Sequence, residues 1–319
     1  SGSVLGIIEE GAVPVFCDTD VTLQPTVKTV AAKITRRTKA VLVVHLAGYP
    51  APVDAIVRFC AKRGIGVAED CAQSWGTRLN GQLVGTFGTA GAYSTNDFKH
   101  ISTGDGGFVA LRDETLFRRL SNYSDKHYDR LFDKSWAGKH HGLNYRMSEL
   151  QGAVALAQLE QVRAITTRHH QLGDLLTRLL QKLPGGTVMP AIPGAYSTYW
   201  WTNILLDPKR LTVDRAAIVE ALRAEGVPTG SYGKYDLIQK PVFQTRIARP
   251  WMKGQKRLYP FVQPDGRSYV YTYETLPVHR RMLDQAIMIS CFNRFYTPAL
   301  IREVAAGIRK VFTALSKSR

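Results

Sequence analysis

Along the first third of the chain, continuous apolar runs alternate with stretches in which apolar residues recur every three or four positions. The runs "AVLVVHL" (40–46), "IGVAED" (65–70), "TAGAYST" (89–95) and "GGFVAL" (106–111) predict short strands buried on both faces. The opening "SGSVLGIIEEGA" has the pattern of a helix entered midway, and "VPVFCDTD" (13–20) is an apolar run ending in acids. "TVKTVAAKI" (26–34) and "PVDAIVRFCAKRG" (52–64) have helical spacing, the second with Asp54 in its first turn and Gly64 as its stop. Strands alternating with helices predict an α/β fold with a parallel sheet covered on both faces. Such sheets place ligands at the carboxyl ends of their strands, and Asp70 and Ser94 stand at or near two such ends.

From about Ser148 the pattern changes. "SELQGAVALAQLEQVRAITTRHHQLGDLLTRLLQKL" predicts one long helix, ended by Leu183-Pro184-Gly185-Gly186. "YWWTNILLD" (199–207) predicts a strand. "TVDRAAIVEALRAEGV" (212–227) predicts a helix with Thr212 as N-cap and Gly226 as stop. A loop-rich basic segment follows from about Tyr232 to Leu276. "TPALIREVAAGIRKVFTALSK" closes the chain as a helix capped by Thr297, with Pro298 at N1. This half has the order of an α+β domain hinged on the long helix.

Length and composition narrow the picture. The 319 residues are too many for one small core, and two domains are expected. No uninterrupted apolar stretch is long enough to span a membrane, and no secretory leader is visible. Cys17, Cys60, Cys71 and Cys291 are scattered with no CxxC pair, which points to reduced thiols in a cytoplasmic protein and to no metal site. The net charge of +16 reads either as a soluble surface from a basic proteome or as a protein that handles anions. There is no long basic run and no nucleic-acid motif, so a phosphorylated small molecule fits the scatter of Lys and Arg at least as well as nucleic acid does.

Candidate chemistry centres on "GAYSTNDFKHISTGDGG" (91–107), where a strand runs into a glycine-rich loop carrying Lys99. Most lysines are solvated, but one held in a desolvated cleft loses part of its preference for charge and serves as an amine nucleophile. In "AEDCAQSWG" (68–76), Asp70 is either a turn carboxylate or the partner of a cationic ring nitrogen. Pyridoxal 5'-phosphate (PLP) needs such a pair: a lysine that forms a Schiff base with its aldehyde, and an acid on its pyridinium nitrogen. Gln73 is placed to reach the ring hydroxyl, Ser94 to hold the phosphate, and Trp75 either to line the pocket or to fill core.

Taken in order and spacing, "EDCAQSWG", "YSTNDFKHISTGDGG" and "GLNYRMSELQGAVALAQL" resemble the sugar aminotransferase family (the DegT/StrS group) of fold-type I PLP enzymes. "GAVPVFCDTD", "VLVVHLAGYPAPVDAI" and "ALRAEGVPTG" fit the same pattern, and the resemblance runs from about residue 5 to the C-terminus. It implies a PLP-binding large domain with a mainly parallel sheet over 1–165, and a smaller α+β C-terminal domain over 166–319. It also implies that Lys99 is the Schiff-base lysine and proton shuttle, Asp70 the partner of the pyridine nitrogen, Gln73 the neighbour of the ring hydroxyl and Ser94 the phosphate-binding serine. Asn144 resembles an asparagine that reaches the cofactor phosphate across a dimer interface, hence a homodimer. Arg146 resembles an arginine near the donor carboxylate, the plain alternative being an ion pair with Glu149.

The implied reaction moves an amino group from L-glutamate or L-glutamine to a keto sugar, commonly one on a nucleoside diphosphate, as in polysaccharide or antibiotic sugar biosynthesis. Keto-cyclitol acceptors, sugar dehydration and a non-catalytic sensor are the alternatives. Relatives that dehydrate carry histidine in place of the lysine, and Lys99 is present here. The family's N-terminal phosphate loop, Gly-Thr or Gly-Ser with an alanine, lies before Ser1, so a natural chain longer by roughly a hundred residues, the size of a domain, is expected. The basic stretch from 240 to 281 reads either as a solvated hairpin, with "QPDGRS" as its turn, or as an elaboration near the substrate mouth.

Overall fold

The structure is a computed structural model that describes residues 2–134, 140–231, 236–246, 260–262 and 266–317. Its strands are β1 (Ala40–Val44), β2 (Gly66–Asp70), β3 (Arg78–Leu79), β4 (Gln82–Leu83), β5 (Ala90–Ser94), β6 (Gly107–Leu111), β7 (Gly186–Val188), β8 (Ala195–Tyr196), β9 (Thr202–Leu206), β10 (Thr229–Ser231) and β11 (Ala286–Ile289). The chain forms two compact units. One is Lys39–Arg168 with Gly194–Trp200; the other is Ser1–Thr38, His169–Pro193 and Trp201–Arg319.

The first unit is built on a four-stranded sheet in the order β1-β2-β5-β6. β2 pairs parallel with β1 and with β5, so β2 and β5 are central and β1 is an edge of the described sheet; β1 buries only Val43 and β2 only Val67 and Glu69, short of the burial on both faces that the apolar runs predict. The helix Val53–Ala61 joins β1 to β2 and turns Val53, Ile56 and Cys60 inward, one face at three- and four-residue spacing. The sheet is mainly parallel, as expected, with one antiparallel strand at its edge. β6 runs antiparallel to β5, with Ser94 opposite Gly107. The connection from Thr95 to Gly106 holds no crossover helix, which a parallel return requires. That hairpin loop carries Lys99. A second, three-stranded sheet has the order β4-β3-β8.

The long helix spans Glu149–Leu179, close to its expected bounds. Its first half belongs to this unit. Gln151 donates from Nε2 to the Asp105 carbonyl at 2.9 Å, and Gln158 Oε1 accepts from the Ser102 amide at 3.4 Å, so two glutamines of "SELQGAVALAQL" brace the lysine loop. Leu150 and Leu156 on the same half are 82% and 69% exposed.

The second unit has an antiparallel sheet in the order β10-β11-β9-β7. β9 occupies 202–206, shorter than the predicted 199–207. The helix Arg215–Ala224 starts at Asp214, not Thr212: Asp214 Oδ1 accepts from the Ala217 amide at 2.9 Å, whereas Thr212 spends its Oγ1 proton on the Leu315 carbonyl. Thr297 caps Pro298–Leu315 through the Leu300 amide at 3.2 Å, as predicted. Asp18, one of the acids closing "VPVFCDTD", accepts from the Val278 and His279 amides at 3.1 and 2.8 Å and so caps the helix Pro277–Gln285. Phe16, Phe243, Phe261 and Tyr271 pack into an aromatic core with centroids 4.9–6.1 Å apart. Much of the basic stretch from 240 to 281, and the start of its turn at 263–265, lies outside the described residues.

Candidate active site

β2 ends in Glu69 and Asp70, and the pleat sends them to opposite faces. Glu69 shares the buried face with Val67. Its Oε2 accepts from the Gly85 amide at 2.6 Å and from His45 Nε2 at 3.0 Å; its Oε1 accepts from the Phe87 and Gly88 amides at 2.8 and 2.6 Å. Burial alone pushes this carboxyl up, but the four donors more than offset that, and its pKa lies below the ordinary value. His45 Nδ1 accepts from the Ala51 amide at 3.0 Å, so the imidazole proton is on Nε2 and the ring is neutral. Cys71 lies close by. Both imidazole nitrogens and both Glu69 oxygens are already engaged, and burial pushes the Cys71 thiol up, so the trio is a hydrogen-bonded core and not a metal cage.

Asp70 faces the other way. Its Oδ1 accepts from the Ala72 amide at 2.9 Å, while its Oδ2 has no hydrogen-bond partner among the described residues. Gln73 follows one turn later and accepts the Ala47 amide on Oε1 at 2.8 Å. A backbone N–H must meet an oxygen, so Nε2 is the free end of that side chain and presents donors only. Ser74 and Thr77 hold the same loop: Ser74 Oγ donates to the His45 carbonyl at 2.5 Å, and Thr77 Oγ1 to the Gly48 carbonyl at 3.1 Å. Gly48 has φ +83°, and a Cβ there would lie 2.5 Å from the Tyr199 amide nitrogen. No other residue fits that turn.

Trp75 is buried. Its Nε1–H donates to the Ser94 carbonyl at 2.8 Å, and its ring packs against Tyr93 and Phe108 at 4.8 and 6.3 Å. Those contacts are packing contacts, and they fix the end of β5. Ser94 Oγ accepts from the Asn96 amide at 3.3 Å and keeps its proton for another acceptor.

The loop after β5 is tied at its base. The Thr95 and Thr103 hydroxyls meet at 2.7 Å, and the Thr95 amide reaches the Gly106 carbonyl at 3.0 Å. Gly106 has φ +134°, and its missing Cβ would crowd both threonine hydroxyls at 3.1–3.2 Å. Lys99 sits in this loop, half-buried. Burial pulls its pKa below the ordinary lysine value, and the Asp70 carboxylate acts in the opposite direction. Its Nζ lies 4.1 Å above the centroid of the Trp200 ring.

Asn144 and Arg146 are exposed. The Asn144 backbone bridges Asp125, and the Leu143 and Tyr145 amides donate to the Tyr123 and Ser124 carbonyls at 2.8 Å each. Arg146 Nε pairs with Asp125 Oδ1 at 3.2 Å, so the partner is Asp125 and not Glu149. Asp125 also receives Arg130 and Lys126; burial pushes its carboxyl up, and these cations hold it below the usual range.

The structure thus gathers Asp70, Gln73, Ser94 and Lys99 around the ends of β2 and β5, and pairs Arg146 with Asp125. The His45–Glu69 pair and Trp200 were not found from sequence. A signal existed for Glu69: two adjacent acids in a buried strand cannot both face solvent. For Trp200 there was none, because its partner Lys99 is far away in the chain.

These residues fit PLP. Among the described residues Oδ2 of Asp70 has no donor and Nε2 of Gln73 no acceptor, and Lys99 is partly desolvated within electrostatic reach of Asp70.

Known proteins agree. Residues 1–256 match the family described as DegT/DnrJ/EryC1/StrS aminotransferases. The chain is 33% identical over 304 residues to a GDP-perosamine synthase of Vibrio cholerae, covering 92% of this chain and 77% of that protein. It is 30% identical over 298 residues to a GDP-perosamine synthase of Escherichia coli O157:H7, covering 92% of this chain and 76% of that one. Its fold matches an aminotransferase from Psychrobacter cryohalolentis with a TM-score of 0.82 at 24% identity, over 98% of this chain and 78% of the other. The chain belongs to the DegT/DnrJ/EryC1/StrS aminotransferase family and is a PLP-dependent aminotransferase of fold type I.

Proposed function

We propose that the protein moves an amino group from L-glutamate or L-glutamine onto a nucleotide-linked keto sugar, with GDP as the nucleotide. One observation carries the chemistry: a half-buried lysine of lowered basicity within reach of a strand-end aspartate. The GDP choice rests on the two relatives, both GDP-perosamine synthases.

The cofactor, when bound, supplies an aldehyde for the amine and a ring that takes up negative charge. The chain's residues do the rest. The lowered basicity of Lys99 raises its neutral fraction, which favours covalent attachment, and the same amine moves the proton at the reacting carbon. Asp70 Oδ2 would accept from the protonated ring nitrogen and hold its proton there. Gln73 Nε2 would donate to the ring oxygen, a reading supported by the Ala47 amide that occupies Oε1. The Ser94 hydroxyl donates to the phosphate.

Asn144 and Arg146 are exposed, and they are assigned to a shared site in a homodimer: Asn144 to the cofactor phosphate and Arg146 to the donor carboxylate. The apolar surface around them supports a second copy as its cover. Tyr145, Leu150 and Leu156 are all more than two-thirds exposed. Sedimentation of the Leu150→Glu variant checks this; a shift toward monomer is expected, and an unchanged dimer counts against that face. Cysteines 17, 60, 71 and 291 are free thiols, which supports a cytoplasmic location, and no described helix is long and apolar enough to cross a membrane.

The assay that tests the function supplies PLP, L-glutamate or L-glutamine, and a GDP-linked keto sugar, and reads the aminated product by mass. Product from the GDP sugar is expected. Turnover confined to sugars on another nucleotide removes the GDP assignment, and a dehydrated product removes the aminotransfer itself.

A further inference from the structure

An amine that leaves the cofactor in one half-reaction and re-attaches to it in the other needs a defined place to rest while unattached. We propose that Trp200 is that place, a positioning residue for Lys99; the inference rests on the role given to Lys99 above. Three contacts define it. The Lys99 Nζ lies 4.1 Å above the centroid of the Trp200 ring, the geometry of an ammonium over an aromatic face. The indole Nε1–H donates to the Phe98 carbonyl at 2.7 Å, so the same ring holds the backbone next to the lysine. The Trp200 amide donates to the Ala47 carbonyl at 2.9 Å.

The third contact ties Trp200 to the cofactor residues. Ala47 gives its carbonyl to Trp200 and its amide to Gln73 Oε1. Gly48 accepts from both the Thr198 amide and Thr77 Oγ1, and the Thr77 and Thr198 hydroxyls meet at 2.7 Å. A Cβ on Gly48 would lie 2.9 Å from the Trp200 amide nitrogen. The segment bearing Trp200 is therefore locked onto the 45–51 loop, and that loop is locked onto Gln73. One continuous set of bonds runs from the residue assigned to the cofactor's ring oxygen to the ring beneath the lysine. Asp70 and Trp200 divide the work on Lys99: the carboxylate draws its charge, and the indole face sets its direction. An indole face attracts the charged amine without forming an ion pair, so the side chain is held yet remains free to move to the cofactor.

The test has one readout of geometry and one of chemistry. The lysines of the PLP-free protein are converted to ¹³C-dimethyl-lysines, which keep their charge, and the Lys99 signal is assigned by its absence in Lys99→Arg. An upfield ring-current shift of that signal is expected in the parent, lost in Trp200→Leu and largely kept in Trp200→Phe. In unmodified protein, covalent capture of PLP should slow about tenfold in Trp200→Leu and recover in Trp200→Phe, with the far-UV spectrum unchanged. A Lys99 signal at the position of a solvated lysine in the parent, or capture by Trp200→Leu at the parental rate, overturns the inference and leaves the assignment of Lys99 standing. A parent that never captures PLP at Lys99 ends the functional assignment instead, and the ring-current arm still decides whether Trp200 holds the lysine. If Trp200→Leu fails to fold, the parent signal and Trp200→Phe carry the test.

Discussion

The inner and outer halves of the proposed site are built on different terms. Asp70, Gln73, Ser94 and Lys99 are positioned by strand ends and by backbone amides, which occupy one atom of a side chain and leave another: Oδ1 but not Oδ2 of Asp70, Oε1 but not Nε2 of Gln73. Asn144 and Arg146 are held by a segment laid along the end of the helix Glu114–Ser124, and Arg146 spends its charge on Asp125. The inner half is preorganised, with donors and acceptors already aimed. The outer half is engaged with its own neighbours, Arg146 with Asp125 among them. Preorganisation of this kind removes the cost of reorienting groups during reaction.

The sharpest way to break the comparison is Lys99→Ala. It removes the amine itself, and kcat should fall by roughly 10⁴-fold, with stability within about 0.5 kcal/mol of the parent by urea unfolding. Retained turnover would place the nucleophile elsewhere. Trp75→Ala tests whether the inner half depends on packing beneath it. Loss of a buried tryptophan and its bond to Ser94 should cost about 3–5 kcal/mol, with weaker PLP binding as the secondary effect.

Glu69→Gln comes next, at about 3 kcal/mol, because an amide cannot satisfy the four donors that the carboxylate meets. This prediction has a pH signature. The folded pKa of Glu69 is below its unfolded value near 4.3. Its contribution is thus complete above about pH 4.3 and is lost as the pH falls through the lower folded value. Unfolding free energies measured from pH 6 downward should fall more steeply for the parent than for Glu69→Gln. Parallel curves would show that this carboxylate carries no such linkage.

Arg146→Ala should give the smallest effect on the fold. Arg146 is half-exposed and the buried Asp125 keeps Arg130 and Lys126 as partners, so stability should change by about 1 kcal/mol or less, while the KM for the amino donor rises about tenfold with PLP capture intact. An unchanged KM would return Arg146 to a purely structural pairing with Asp125.

Much of this molecule is visible in its sequence, for identifiable reasons. β2 and β5 are central strands and β1 an edge, and their apolar runs are detected by periodicity although few of their residues are fully buried. The long helix and the Thr297 cap follow from local rules. The direction of β6 depends on what fills the loop before it. The cap at Asp214 replaces Thr212 because two acceptors compete within one turn, and the choice is made by tertiary contacts of Thr212. Asp70, Gln73, Ser94 and Lys99 stand out because strand ends and glycine loops are local features. Arg146 finds Asp125 and Lys99 finds Trp200 across long stretches of chain, and neither pairing leaves a mark in the neighbouring residues. What one sequence lacks is the long-range partner of each side chain.

The central claim is that Lys99 is the amine that takes the cofactor. The protein is incubated with PLP, reduced with borohydride, digested and mapped by mass, with and without prior L-glutamate or L-glutamine. The account predicts a pyridoxyl group on Lys99, greatly diminished when the amino donor is added first. A label spread over surface lysines, or one on another single lysine, contradicts it.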